Sequence, residues 1–188
     1  MKDTNMQTQN QSRPLALGLT VLSALGRLVP HAPNVTPLGG SCLFAGSRLS
    51  GPLAYLLPLA VMIATDPLAF YGHGYSITSP VIYASFLISV WIGRTMLRNV
   101  TPMRVGAAAA ISSLQFFLIT NFAIWAVAAV RHNTMYSADL AGLLKCYSLA
   151  LPFYGRTLAG DLLFSAAIFG MYELLSRRTA QTTVRATA

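Results

Sequence analysis

Apolar runs separated by short polar or proline-rich breaks fill the chain from Leu15 to Leu175, and the longest of them, Val105 to Val130, holds twenty-six residues without a charge. At about 1.5 Å per residue, a helix of that length exceeds the roughly 30 Å hydrocarbon core of a bilayer. The run is predicted to be a membrane helix. At 100° per residue, Ser113, Phe117, Thr120, Asn121 and Trp125 share one arc. An amide and an indole in a membrane helix need partners away from lipid. The arc is therefore expected to face the protein, either for helix-to-helix hydrogen bonds or as one wall of a ligand cavity. Gln115 points the other way and is expected to pack against another helix.

The other runs predict shorter elements. Residues 15 to 29 form a first helix ended by Pro30 and Pro33, and Ala16, Thr20 and Ala24 make an i+4 strip of small residues that admits a close neighbour. PHAPNVTPLGGS, Pro30 to Ser41, cannot be a regular helix over most of its length. It is either a plain loop or a re-entrant lip carrying His31, Asn34 and Thr36 toward a site. Residues 38 to 49 form a short apolar element ending at Arg48. Residues 52 to 65 form another, kinked at Pro58 and closed by Asp66. The stretch 67 to 79 is a Gly- and Tyr-rich loop. From Pro80 to Leu97 runs a helix in which Ser85, Ser89 and Gly93 repeat the small-residue ladder. Beyond Arg131 and His132, residues 133 to 158 are expected to include a helix at the interface. A last helix covers 159 to 175, with Asp161 near its start, either as an N-cap or as a contact to ion or substrate. Residues 1 to 14 read as a disordered polar tail, 15 to 175 as the membrane domain and 176 to 188 as a basic polar tail.

Composition strengthens the membrane reading. Hydrophobic residues make up 54% of the 188 and charged residues only 10%, against about a quarter charged in soluble domains; mean hydropathy is +0.55. There is room for about six spans and for no separate soluble module. The net charge of +8 does not imply nucleic acid, because the basic residues sit at the ends of apolar runs rather than on one polar face. With the N-terminus inside, Lys2, Arg13, Arg48, Arg94, Arg98, Arg104, Arg177, Arg178 and Arg185 fall on the inner side, and Arg27, Arg131, Lys145 and Arg156 on the outer. That asymmetry puts both termini in the cytoplasm.

The same topology gathers His31, His73 and His132 at the outer side with Asp66, Tyr71, Tyr75, Asp139 and Cys146. Imidazole, thiol and carboxylate together could ligate a metal, with His31, His73 and Cys146 the candidates, yet no H-x-H or H-x-x-x-H spacing supports it. Cys42 and Cys146 form no C-x-x-C pattern. Glu173 is expected to pair with Arg177. No triad order, zinc-protease motif, P-loop or close carboxylate pair occurs, so neither an enzyme nor a cofactor is expected.

LVPHAPNVTPLGG, LFAGSRL, FFLITNFAIWAV and AGLLKCYSLALPFYGRTLAGDLLFSAAIFG together resemble a family of small bacterial membrane proteins known as DUF6580. That family in turn resembles the substrate-binding S components of energy-coupling factor (ECF) vitamin transporters. The resemblance covers about residues 15 to 175. It implies an all-α, S-component-like bundle of about six transmembrane helices in the bacterial inner membrane. Such a protein would bind a small water-soluble nutrient from the outer side, vitamin-like and cobalamin among the options. S components commonly dock through an A-x-x-x-A strip on the first helix, which Thr20 interrupts here. Partners would be the lipid bilayer, the nutrient and either an ECF-type coupling protein with its ATPases or none. The expected substrate contacts are Asn34, Thr36, Tyr71, His73, Tyr75, Asn121, Trp125, Cys146 and Asp161. Two rival readings are a membrane assembly scaffold without a ligand and a small membrane enzyme acting through Cys146.

Overall fold

A computed structural model describes residues 2–30, 32–69, 80–130 and 135–186. These form α1 (Lys2–Leu25), a 3-10 turn (Gly26–Leu28), α2 (Leu38–Arg48), α3 (Leu53–Ala69), α4 (Pro80–Met96), α5 (Pro102–Val130) and α6 (Leu140–Ala186), with no strand among the described residues. Contacts fix the directions. Ser112 meets Ser89 while Gln115 meets Ser85, and Ser113 meets Asp161 while Leu118 meets Tyr147, so α4 and α6 run antiparallel to α5. Gly39 lies against Asp161 and Gly40 against Ser165, so α2 runs parallel to α6. Gly26 lies by Pro37 and Ser23 by Ser41, and Asp66 meets Tyr83 while Tyr55 lies under Arg94, so successive helices alternate in direction, and α2, α4 and α6 point the same way.

The short α2 is at the centre. Nine of its eleven residues, Leu38 to Gly46, are buried, and it touches every other helix. Glycine makes this possible. A side-chain carbon on Gly46 would overlap the Val90 carbonyl of α4, one on Gly93 would overlap the Leu43 carbonyl, and one on Gly40 would crowd the Ser165 backbone of α6. Three backbones thus meet directly, the close approach that small residues allow. Phe44 completes the packing at the far end of α2, edge-on to Phe169 and Tyr172, where Arg48 stacks on the Tyr172 ring at 4.6 Å.

The small-residue ladders behave as expected. Ala16, Thr20 and Ala24 are buried, as are Ser85, Ser89 and Gly93. The first strip is consequently occupied inside the molecule rather than offered to an outside partner. Gln115 reaches α4, where its amide donates to Ser85 O and Ser89 Oγ.

Several boundaries differ from the sequence reading. α1 begins at Lys2 and takes in the segment read as a polar tail. α3 continues past Asp66 to Ala69, with Pro67 accommodated in its last turn. The mixed stretch and the last helix are one continuous α6 through Pro152, so Asp161 lies inside a helix and is not an N-cap. Pro152 removes one backbone donor and does not break the helix, because its neighbours on α6 continue to pack on α5. Two helices, α5 and the Leu140–Thr179 part of α6, are long and apolar enough to cross a membrane; the apolar parts of α3 and α4 are shorter. With eleven residues, α2 rises about 16 Å and cannot cross alone.

Candidate functional site

The amino end of α2 is where the polar side chains converge. Pro33 to Pro37 precede it in an irregular backbone, with Asn34 at a φ of 65°, a left-handed conformation that asparagine tolerates better than most residues. Thr36 Oγ1 accepts the Leu38 N–H at 3.5 Å, and the loop lies against Gly160 of α6. A cavity of about 90 Å³ opens there, lined by Asn34, Thr36, Gly39, Phe86, Ser89, Ser112, Phe116, Thr157 and Asp161. Two of these come from the loop, and the others from α2, α4, α5 and α6.

Asp161 is the charged member. It is 5% exposed, and its Oδ2 accepts the Ser113 hydroxyl at 2.6 Å. Gly39 is required beside it, since any side chain there would overlap the carboxylate. Among the described residues Asp161 makes no ion pair; the pairs there are Arg27 with Asp66 and Arg177 with Glu173. Leaving a buried carboxylate with one hydrogen bond is costly, and the α2 amino end contributes only about half a positive charge toward it. Two aromatic rings, Phe86 and Phe116, close one wall with centroids 5.0 Å apart.

The hydroxyls of the cavity have mostly spent their protons. Ser89 donates to Ser85 O, Ser112 to Ser89 and Thr157 to Phe153 O. Ser89 also accepts from Gln115. Ser89 is saturated by the protons of Ser112 and Gln115, and the remaining capacity of Ser112 and Thr157 toward the cavity is as acceptors.

Three expected contacts, Asn34, Thr36 and Asp161, therefore meet. Asn121, Trp125 and Cys146 do not line this cavity. Asn121 donates to Phe117 O within its own helix, Trp125 Nε1 donates to Ser137 O at 3.0 Å, and Cys146 Sγ lies 3.5 Å from Asn121 O. These groups serve the α5–α6 seam, with Phe117 stacked between Tyr147 and Tyr154. Tyr71, His73, Tyr75, His31 and His132 lie outside the described residues, and with them most of the metal reading. Among the described residues no group of three or more His, Cys, Asp or Glu could hold a metal.

Sequence reasoning missed Gly39, Phe86, Ser89, Ser112, Phe116 and Thr157 as cavity residues. One signal was available: Thr157 precedes Asp161 by a single helical turn and so shares its face. A second polar cluster lies away from the cavity. Arg27 donates to Asp66 at 2.6 Å, and Tyr83 donates to the other oxygen at 2.5 Å, joining the 3-10 turn, α3 and α4.

The model of a family of unknown function, DUF6580, matches residues 7–183, and the chain belongs to that family. No curated protein and no solved structure matches it.

Proposed function

For this DUF6580 member, we propose a membrane-embedded protein that binds a small water-soluble nutrient in the Asp161 cavity and moves it across the bilayer. The observation that carries this reading is a buried carboxylate without a cationic partner among the described residues, held in a polar cavity to which four helices and a loop contribute. A packing role alone does not call for such a charge, because an apolar residue of similar volume would be cheaper.

Several features support the membrane setting. α5 and α6 are long enough to cross. Their outward faces carry Ile111, Leu114, Leu118, Phe122, Leu163 and Leu174, all exposed, which suits lipid better than water. Arg48, Arg94, Arg98, Arg104, Arg177 and Arg178 collect at one end of the alternating helices, the end the positive-inside rule places in the cytoplasm. The reading is of a six-helix, S-component-like bundle in a bacterial inner membrane with both termini cytoplasmic. Since Ala16, Thr20 and Ala24 are buried, a coupling protein with ATPases would have to dock elsewhere, and a solitary transporter suits that placement equally well.

The test is mass spectrometry of small molecules that co-purify with the detergent-solubilised protein. A compound retained by the native chain and lost from Asp161→Leu is the expected result. A folded protein that carries nothing, and whose thermal midpoint no vitamin, amine or amino acid raises, would overturn the reading, because a ligand that prefers the folded state must stabilise it. The scaffold reading would then stand, favoured by the engagement of Asn121, Trp125 and Cys146 in helix packing.

A further inference from the structure

Resting on that reading, we infer that the Asp161 cavity takes the ammonium group of its solute, so that the substrate class is a small primary amine rather than an anionic or neutral nutrient. Hydrogen-bond polarity is the first ground. Ser89, Ser112 and Thr157 each direct a proton to another protein oxygen, and Asp161 Oδ2 already receives one from Ser113. Ser89 also accepts from both Ser112 and Gln115 and is saturated, so what Ser112, Thr157 and Asp161 leave toward the cavity are lone pairs. A guest that engages Ser112, Thr157 and Asp161 must therefore bring donors, and an ammonium brings three donors and no acceptor.

Charge is the second ground. When ionised, Asp161 brings a negative charge with which no described residue pairs. The amino end of α2 offsets only about half of that charge. An anionic guest would add a second negative charge in a site from which water is largely excluded.

The wall supplies the third ground. Phe86 and Phe116 both face the cavity, and aromatic faces attract desolvated cations. A bare metal ion suits the site less well. It holds one carboxylate, and Ser89 is already taken up by Gln115 and Ser112. A cavity of about 90 Å³ accepts an ammonium with a short carbon stem.

The experiment is equilibrium binding of radiolabelled methylammonium to the full chain in nanodiscs, with competition by sodium chloride, tetramethylammonium chloride and unlabelled methylammonium. Saturable binding displaced by methylammonium but not by sodium or tetramethylammonium is expected. Asp161→Asn keeps the acceptor for Ser113 and the volume, and it should weaken binding by about tenfold or more, the loss of a charge-assisted hydrogen bond. Should that variant fail to fold, Phe116→Leu removes half of the aromatic wall and should weaken binding by roughly threefold. Equal displacement by sodium would overturn the amine assignment in favour of an inorganic cation. Absence of methylammonium binding, with a neutral or anionic compound found by mass spectrometry, would overturn this inference and leave the nutrient-binding reading intact. Absence of both would overturn the two together.

Discussion

Asp66, Asp139 and Asp161 are carboxylates in three contrasting settings. Asp66 shares its charge with Arg27 and accepts Tyr83. Among the described residues, Asp161 has only Ser113. Asp139 is fully exposed and caps α6, accepting the Ser137 hydroxyl at 2.6 Å and the Gly142 N–H at 2.8 Å. Those two bonds, the hydroxyl first, hold its carboxyl below the usual carboxylate range. A depressed carboxyl stabilises the folded form above its unfolded pKa and loses that contribution as pH falls through the folded one. The protection factors of amides in the first turn of α6, measured against the intrinsic rate at each pH, should therefore be high near neutral pH and fall below about pH 4, and in Asp139→Ala they should be low throughout. Exchange in Asp139→Ala as slow as in the native chain would refute the cap. The sequence reading placed Asp139 and Asp66 at the outer side as possible ligands. What it could not supply was their neighbours, because Arg27 lies thirty-nine residues from Asp66 and no local pattern joins them.

Among the elements, α5 was the easiest to anticipate: a long uncharged run has one solution in lipid, and the helix Pro102–Val130 covers all of it. The ladder Ser85, Ser89, Gly93 was also legible, since i+4 spacing alone puts small residues on one face. The central place of α2 was not. Its glycines read locally as helix breakers, whereas their value lies in what touches them, and contacts with α4 and α6 are set by the tertiary fold. Gly93→Ala should accordingly force the α2 and α4 backbones apart and cost about 2 kcal/mol or more, seen as a lower thermal midpoint. Gly106→Ala, with nothing near enough to meet the added carbon, should be neutral or slightly stabilising. Equal effects of the two would mean that the α2–α4 contact is not tight. The continuity of α6 was missed for a related reason. Pro152 and Gly155 look like a boundary in the sequence, yet a helix supported along one side can carry both.

In the whole molecule, the amino ends of α2, α4 and α6 lie at one end, and the short connections 49–52 and 97–101 lie at the other with most of the arginines. Segregation of that kind is what charge asymmetry in the sequence made legible, without any knowledge of packing. It leads to a direct expectation. An impermeant thiol reagent applied outside cells should fail to label Arg178→Cys introduced into a Cys42→Ala, Cys146→Ala background, and should succeed only after permeabilisation. Labelling in intact cells would invert the topology. The cavity was half legible: Asn34, Thr36 and Asp161 were singled out by their chemistry, while the aromatic and hydroxyl walls were hidden inside patterns that equally describe ordinary packing.

One consequence follows from α2 being both short and central. It leaves the ribosome second, but the carbonyls and carboxylate against which its glycines rest belong to α4 and α6, which are made later. At about 16 Å it cannot hold a place in the bilayer by itself. The nascent chain must carry it unseated until α6 arrives, so the heart of the molecule is settled only after four further helices have been made.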